Sequence, residues 1–261
     1  MTLFKIIRIL LLLSIFLGLA FYARQQQLKS RNWTEPLQLM IYPINAENNH
    51  PEVNDYIAGL NDQVFAPIDQ FFAEQGKAYN LITQQPTLTR LGATVSMLPP
   101  PAPRPDAGVM AIIGWGLQFR YWTYQNTPED ADDDNIRRVR VFVLYHTASK
   151  GKQLEHSLGL DKGLLAVVHA FASEDQDQQN NIVIAHEFLH TVGAKDKYAP
   201  DNTALFPVGY ADPQQSPLYP QKMAEIMVGR IPLSETQLRM ADSLRECVVG
   251  EETAREINWL R

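Results

Sequence analysis

Cysteine is nearly absent from this chain, since Cys247 is the only one among 261 residues. A single cysteine cannot form an intrachain disulfide, so the fold does not depend on an oxidising compartment. Nor can it build a site of several thiolates, which excludes a cysteine-rich structural zinc domain. The count leaves both oxidising and reducing compartments open.

An excess of positive charge is also lacking. The net charge is −6, with 23 basic and 29 acidic residues, so the chain has no electrostatic footprint for nucleic acid and we expect no such partner. An apolar fraction of 45% and a charged fraction of 20% are typical of a globular protein with a core. The length allows one globular domain of ordinary size, which we place at residues 36–261 and expect to be monomeric.

Long apolar runs are absent except at the N-terminus, where residues 9–23 are almost unbroken. Lys5 and Arg8 precede the run, as in a signal peptide, and residues 18–20 would serve as a small-x-small cleavage site. Alternatively, residues 4–7 extend the run towards the roughly 20 residues that span a bilayer. We favour residues 1–23 as an uncleaved membrane anchor.

The anchor interpretation has consequences for location. Residues 24–35 are polar and are predicted to form a tether. We expect a membrane-anchored protein whose globular domain lies outside the cytoplasm, in the periplasm or extracellular space. If the N-terminus is cleaved, the protein is secreted. No cysteine lies directly after the apolar run, which excludes lipoprotein processing.

The spacing of apolar residues predicts an α+β (α/β layered) domain, with a mixed twisted sheet packed on two long helices. Proline-rich residues 99–105 are predicted to be a stiff loop, and acidic residues 129–134 a solvated one. Predicted strands lie at 37–42 (ended by Pro43), 109–113, 117–124, 138–145 and 163–171; predicted helices lie at 54–75, 178–192 and 234–248, the last with Ser234 as N-cap.

The residues that carry chemistry lie in the stretch HEFLHTVGAKD, residues 186–196. His186 and His190 are four apart, which places both imidazoles on one face of a helix, and neutral imidazoles suit zinc. Glu187 is placed to take a proton from a metal-bound water. A left-handed Gly193 would end the helix, so that the chain folds back and Asp196 meets the same metal.

A plainer interpretation is an amphipathic helix with two surface histidines. The joint spacing of histidine, glutamate, glycine and aspartate favours a metal site instead. The remaining histidines, His50, His146, His156 and His169, have no partner at ligand spacing. His169 lies in an apolar strand and is interpreted as a core residue, with a place in the cleft as the alternative.

This stretch resembles the metzincin metalloproteases, whose pattern HExxHxxGxxH has Asp in place of the last His in some bacterial members. The resemblance implies a methionine-containing turn beneath the metal, before a C-terminal helix. Met227 is the expected residue of that turn, with Met223 as the rival. It also implies that the strand at 163–171 is the sheet edge along which a peptide substrate lies.

The function predicted from these residues is hydrolysis of peptide bonds by a zinc-activated water. Zn²⁺ would be held by His186, His190 and Asp196, with Glu187 as general base and then acid. One alternative is a gluzincin-type protease, whose third ligand is a downstream Glu such as Glu225 or Glu235. Another is a non-enzymatic, membrane-anchored binding protein that keeps a zinc site. Retention of Glu187 argues against the latter.

Overall fold

The central sheet forms where β-branched and other apolar residues cluster. In the computed structural model, which describes residues 3–104, 107–127, 137–148, 154–160 and 163–260, this sheet has five strands. They are β1 (Leu37–Asn45), β2 (Thr87–Leu91), β3 (Arg138–Thr147), β4 (Leu158–Leu160) and β5 (Leu165–Ala172). Their order is β2-β1-β3-β5-β4; β4 runs antiparallel to β5 and the other pairs are parallel. The predicted mixed sheet and the α+β class are confirmed at this level.

Helices cover both faces of the sheet, and small strands follow the last long helix. The helices are α1 (Leu3–Ser30), α2 (Pro51–Gly59), α3 (Asp62–Ala78), α4 (Val109–Asn126), α5 (Asp177–Thr191) and α6 (Glu251–Glu256). The small strands are β6 (Ala224–Glu225), β7 (Arg230–Pro232), β8 (Leu238–Met240) and β9 (Cys247–Val248). β6 pairs with β9 in parallel, and β7 pairs with β8 in a hairpin.

Alternation of side chains along each strand divides the core into two layers. On β5, Ala166 and Val168 pack in the cluster that contains the apolar faces of α2, α3 and α5. Leu165 and Val167, which alternate with them in sequence, pack in a second cluster with α4. The predicted long helix at 178–192 is confirmed as α5, and it lies on the opposite face of the sheet from α4.

The single helix predicted at 54–75 is wrong. The chain forms two helices, α2 and α3, with a break at Leu60 and Asn61. The Asn61 side chain accepts a hydrogen bond from the Gln63 N–H and caps α3. The apolar spacing continues across the break, so periodicity alone does not reveal it.

The predicted end of the first strand at Pro43 is also wrong, because β1 continues to Asn45. The Leu37 N–H donates to the Pro86 carbonyl beside β2, and the Gln38 N–H donates to the Arg137 carbonyl beside β3. The N–H groups of odd-numbered residues in β1 therefore face β2. Pairing with β2 ends at Ile41. Pro43 has no N–H to donate, but an N–H at this position would have had no partner on β2.

The two strands predicted between residues 109 and 124 form one helix, α4. Trp115, Phe119 and Trp122 are spaced as neighbours on one helical face and pack in the cluster under that helix. The opposite face of α4 is apolar as well, so the sequence lacks the one-sided pattern that marks an amphipathic helix. Its β-branched and aromatic residues favour strand, and packing overrides them.

The final helix predicted at 234–248 is wrong as well. These residues include β8, β9 and the turn of the β7–β8 hairpin. The Ser234 hydroxyl accepts the Gln237 N–H at 3.1 Å, so the capping pattern closes a turn rather than starting a helix. The C-terminal helix, α6, begins at Glu251 and has 6 residues. The acidic loop predicted at 129–134 lies outside the described residues.

The N-terminal helix α1 is exposed along its apolar part. Among the described residues it is the one helix long and apolar enough to cross a membrane, a test that signal sequences also pass. The polar residues 24–30 continue the same helix, and Ser30 is buried. Trp33 then enters the core, where its indole N–H donates to the Ile257 carbonyl and its ring packs on Trp259.

We predict that Phe72→Ala lowers the free energy of unfolding by about 3–5 kcal/mol, since it leaves a cavity. Phe72 is fully buried between Phe188 (ring centroids 5.0 Å apart) and Phe71 (5.1 Å). Phe206→Ala, at an exposed position, should change it by less than about 0.5 kcal/mol. Urea unfolding of the detergent-solubilised chain, followed by tryptophan fluorescence, measures both. Equal losses would contradict the described core.

Candidate metal centre

The structure brings three of the predicted ligands together at the end of α5. The Nε2 atoms of His186 and His190 are 3.1 Å apart. One carboxylate oxygen of Asp196, Oδ1, lies 3.1 Å from the first nitrogen and 3.2 Å from the second. The three atoms form a nearly equilateral triangle of electron-pair donors, which could hold a metal ion.

The turn that returns Asp196 to the helix depends on Gly193. Its φ is +106°, a conformation that L side chains rarely adopt. The Gly193 N–H bonds the His190 carbonyl, and the Ala194 N–H bonds the Leu189 carbonyl, which closes the helix end. A Cβ at position 193 would overlap the guanidinium of Arg31, the first residue after α1. The predicted left-handed glycine is confirmed, and the start of the domain lies against it.

Backbone carbonyls orient both imidazoles. The Nδ1 atom of His186 lies 3.0 Å from the Ile226 carbonyl oxygen, and that of His190 lies 2.9 Å from the Ala194 oxygen. A carbonyl oxygen can only accept, so each Nδ1 carries the hydrogen. Each neutral imidazole then directs the Nε2 lone pair into the triangle, which is the arrangement that metal-binding histidines need.

The electrostatics of the cluster depend on shared protons. Burial alone would lower the pKa of His186, but the hydrogen bond that it donates to Asp196 and the charge of Glu187 raise it to about 9. Burial would raise the pKa of Asp196, yet its bonds to both histidines hold it well below its usual range. The neighbouring carboxylates therefore stabilise a proton on His186. A metal ion would have to displace that proton.

Glu187 is the fourth member of the cluster. It is 6% exposed, and its carboxylate lies with the ring nitrogens of His186 and His190 inside a group whose ligand atoms are all within 4.8 Å of one another. One oxygen, Oε2, has no hydrogen-bond partner among the residues that the structure describes. Burial raises the pKa of Glu187, and the two histidines act against this shift. A buried carboxylate with an unpaired oxygen is suited to exchange a proton.

Glu256, on α6, holds the chain on both sides of Asp196. Its Oε2 accepts the Lys195 N–H at 2.9 Å and the Lys197 ammonium at 2.6 Å. Lys197 is 3% exposed, so its charge is paired within the protein and kept from the metal triangle. Sequence reasoning missed Glu256, because no local pattern links it to a ligand that lies far upstream.

The turn that contains Met227 lies behind His186, since it supplies the Ile226 carbonyl. Glu225 closes this turn, and its carboxylate accepts hydrogen bonds from the Met227 N–H (2.6 Å), the Gly250 N–H (3.1 Å) and the Thr253 hydroxyl (2.7 Å). Glu225 is fully buried with these partners. Among the described residues, neither Glu225 nor Glu235 belongs to the candidate metal cluster.

The expected edge strand at 163–171 is an interior strand, because β4 covers β5 on its outer side. The sequence analysis missed β4, which has only three residues. Gly159, at its centre, lies close to α5: a Cβ there would overlap the Glu187 carbonyl oxygen and approach the His190 Cβ to 2.6 Å. The backbone of Gly159 also acts to lower the pKa of the Glu187 carboxyl. The sheet edge therefore passes directly over the metal cluster.

His169 and His146 contact each other, away from this cluster. Their rings stack, with the Nδ1 atom of His169 3.0 Å from the Nε2 atom of His146. His169 follows Leu165 and Val167 on the α4 side of β5, so it does not line the metal site. Burial lowers its pKa. The pairing of β3 with β5 brings the two histidines together, and sequence spacing did not reveal it.

We predict that each chain binds one divalent metal ion at this centre. His186→Ala and His190→Ala should each abolish binding, because two of the three donors in the triangle cannot hold the ion tightly. His156→Ala, at an exposed histidine outside the centre, should bind as the unaltered chain does. Metal content after dialysis, measured by mass spectrometry, tests this. Undiminished metal in both ligand variants would refute the site.

We also predict that Glu256→Gln weakens metal binding by about 10-fold or more, as is typical when a partner of the ligands is lost. The amide keeps the size of the side chain but removes the charge that pairs with Lys197. Glu251→Gln, on the same helix, is the matched control, since Glu251 is exposed and pairs only with Arg255 among the described residues. Chelator competition gives both affinities, and equal affinities would exclude a positioning role for Glu256.

The comparisons with known proteins add no relative. No protein-family model matches the sequence, and no curated protein matches it significantly. The interpretation of the centre therefore depends on the geometry and chemistry of its own residues.

Proposed function

We propose that this protein is a zinc-dependent endopeptidase. The observation that carries the proposal is the triangle of His186, His190 and Asp196 beside Glu187, whose buried carboxylate has an oxygen without a partner among the described residues. The triangle and the Glu187 carboxylate are more informative together than either is alone. Three donors imply a metal, and the adjacent carboxylate implies chemistry on what the metal binds.

Zinc is the metal that these donors fit best. Ligands at roughly 2.0–2.1 Å from a tetrahedral zinc are about 3.3 Å apart, close to the 3.1–3.2 Å separations of the triangle. Two imidazoles and one carboxylate leave the fourth position of such a metal open, as catalytic zinc sites require. With Asp196 as third ligand, Zn²⁺ and its ligands would have a formal charge of +1, whereas three histidines would leave +2. A bound water would therefore be less acidic than in a site of three histidines.

In the proposed mechanism, His186, His190 and Asp196 would hold a zinc ion, which would supply Lewis acidity towards the attacking water and the scissile carbonyl. Glu187 accepts the proton of that water at its unpaired oxygen and delivers it to the leaving amine. The raised pKa that burial gives Glu187 favours this second role, because it makes proton retention easier. Tyr198 lies near Asp196, and burial followed by the Asp196 charge raises its pKa to about 12, so its hydroxyl stays protonated.

The substrate is proposed to be a peptide in extended conformation. β4 is the edge of the sheet, and a peptide can add to such an edge through backbone hydrogen bonds. The close approach of Gly159 to α5 would bring that peptide over His190 and Glu187. This assigns to β4 the role that the sequence analysis expected of residues 163–171.

The resemblance to metzincins agrees with several positions. Gly193 turns the chain as the pattern requires, and Asp196 takes the place of the third histidine. Met227 is buried in a tight turn adjacent to His186 through the Ile226 carbonyl, which supports it over Met223 as the expected methionine. We therefore propose a metzincin-type centre on this sheet.

The two alternatives are less well supported. A gluzincin-type centre would need Glu225 or Glu235 as a ligand, whereas the Glu225 carboxylate is bonded to Met227, Gly250 and Thr253. A purely structural zinc site has no use for Glu187. As for location, we propose that α1 anchors the protein in a membrane and that the catalytic domain lies outside the cytoplasm.

We predict that Glu187→Gln retains zinc but loses peptide hydrolysis by about 10²–10⁴-fold or more, since an amide cannot accept the proton. Glu174→Gln, an exposed change just before α5, is the control and should keep full activity. The full chain in detergent is incubated with a peptide library, and cleavage is followed by mass spectrometry beside zinc content. Cleavage by Glu187→Gln at the wild-type rate would refute the mechanism.

A further inference from the structure

Helix α4 carries a second apolar face that the described residues leave uncovered. One face packs on the sheet through Trp115, Phe119 and Trp122. The other is exposed, with relative exposures of 78% at Met110 and 65% at Leu117. Exposed large apolar residues of this helix are Val109, Met110, Ile112, Ile113, Leu117, Tyr121 and Tyr124. A continuous exposed face of this kind marks a surface of interaction.

The position of α1 identifies what covers this face. Residues 3–22, at about 1.5 Å per residue, are about 30 Å long, the thickness of the hydrocarbon core of a bilayer. At the end of this span, Ala20 borders a cavity together with Ala23 and Arg24, which follow the span, and with Gly163 and Leu164. The point at which α1 would leave the bilayer therefore lies beside the start of β5.

Helix α4 reaches the same point from the other side. A Cβ at Gly163 would lie 3.6 Å from the Nε of Arg120, which is in the middle of α4. Arg120 and the end of the apolar span thus flank one glycine. A bilayer placed around residues 3–22 would therefore have its surface near Arg120.

The composition of α4 suits the boundary between lipid and water. Its 18 residues contain no acidic side chain and one basic side chain, Arg120, with tyrosines at 121 and 124. Tyrosine, tryptophan and arginine concentrate at membrane interfaces because an apolar part and a polar tip are solvated on different sides. Among the described residues, only α1 is apolar enough to span a membrane, so α4 would lie along the surface.

We propose that the exposed face of α4 lies in the interface of the bilayer that α1 crosses, as a second membrane contact. This inference depends on the anchoring proposed above. It also sets the orientation of the domain: α5 and the metal centre are on the opposite face of the sheet from α4. The centre would then face the aqueous phase, away from the lipid.

The test uses an environment-sensitive fluorophore on single cysteines of the full chain, reconstituted in phosphatidylcholine vesicles. Met110→Cys and Leu117→Cys report on α4, and Phe16→Cys reports on α1. Ala66→Cys, exposed on α3 on the other face of the sheet, is the control. The native Cys247 is buried, so the unaltered chain serves as the labelling blank.

Vesicles are then prepared with nitroxide groups on the lipid acyl chains, which quench a fluorophore only on contact. We expect a loss of emission at positions 110 and 117 comparable to that at position 16, and no loss at position 66. Quenching at position 16 alone would overturn the α4 contact and leave the anchor standing. Absence of quenching at all positions would overturn both. A second copy of the chain that covered α4 would keep the acyl-chain nitroxides away from positions 110 and 117. Unquenched emission at these positions would therefore also overturn the α4 contact with lipid if such a dimer formed.

Discussion

The candidate metal centre depends on the hydrogen bonds that the buried carboxylate of Glu225 accepts. This carboxylate binds the turn at Met227, on one side, and the start of α6 at Gly250 and Thr253, on the other. The turn orients His186 through a carbonyl, and α6 carries Glu256. A buried carboxylate with three donors is costly to disturb, because a lost partner leaves charge or a polar group unsatisfied in the interior. One side chain outside the metal triangle thus fixes the two segments that surround it.

The two faces of the sheet have different tasks. One face packs on α5, which presents the histidines, and the short edge strand β4 extends over that helix. The other face packs on α4, whose outer surface is apolar. Because alternate side chains of the same strands serve both layers, the distance between the metal centre and the α4 surface is fixed by the thickness of the sheet and its helices.

Local chemistry determined what the sequence could predict. The spacing of His186 and His190, and the conformational freedom of Gly193, act within a few residues, and the structure has the expected helix and turn. The strands β3 and β5 were also predicted from their apolar runs, to within two residues at each end. Ser234 and Gln237 show the limit of local patterns, since the same hydrogen bond closes a turn as well as it caps a helix.

The rest of the centre depends on residues distant in sequence. Glu256 meets Lys197 only because α6 packs against the chain after Gly193, and no periodicity encodes that contact. Gly159 is informative only once β4 is seen to cross α5. In α4, apolar residues on every side of the helix concealed its 3.6-residue period. The outer face, which is exposed in the fold, was therefore predicted as part of a strand.

The contact between Arg31 and Gly193 links the N-terminal helix to the turn that carries Asp196. Since α1 is helical to Ser30 and Trp33 is buried, few backbone bonds between Ser30 and Trp33 can rotate freely. Tilting of α1 would therefore be transmitted to the wall of the metal centre rather than absorbed by a slack connection. Proteolytic release of the domain on the C-terminal side of Arg31 would remove a cation from that wall, and the freed domain would carry a centre different from the tethered one.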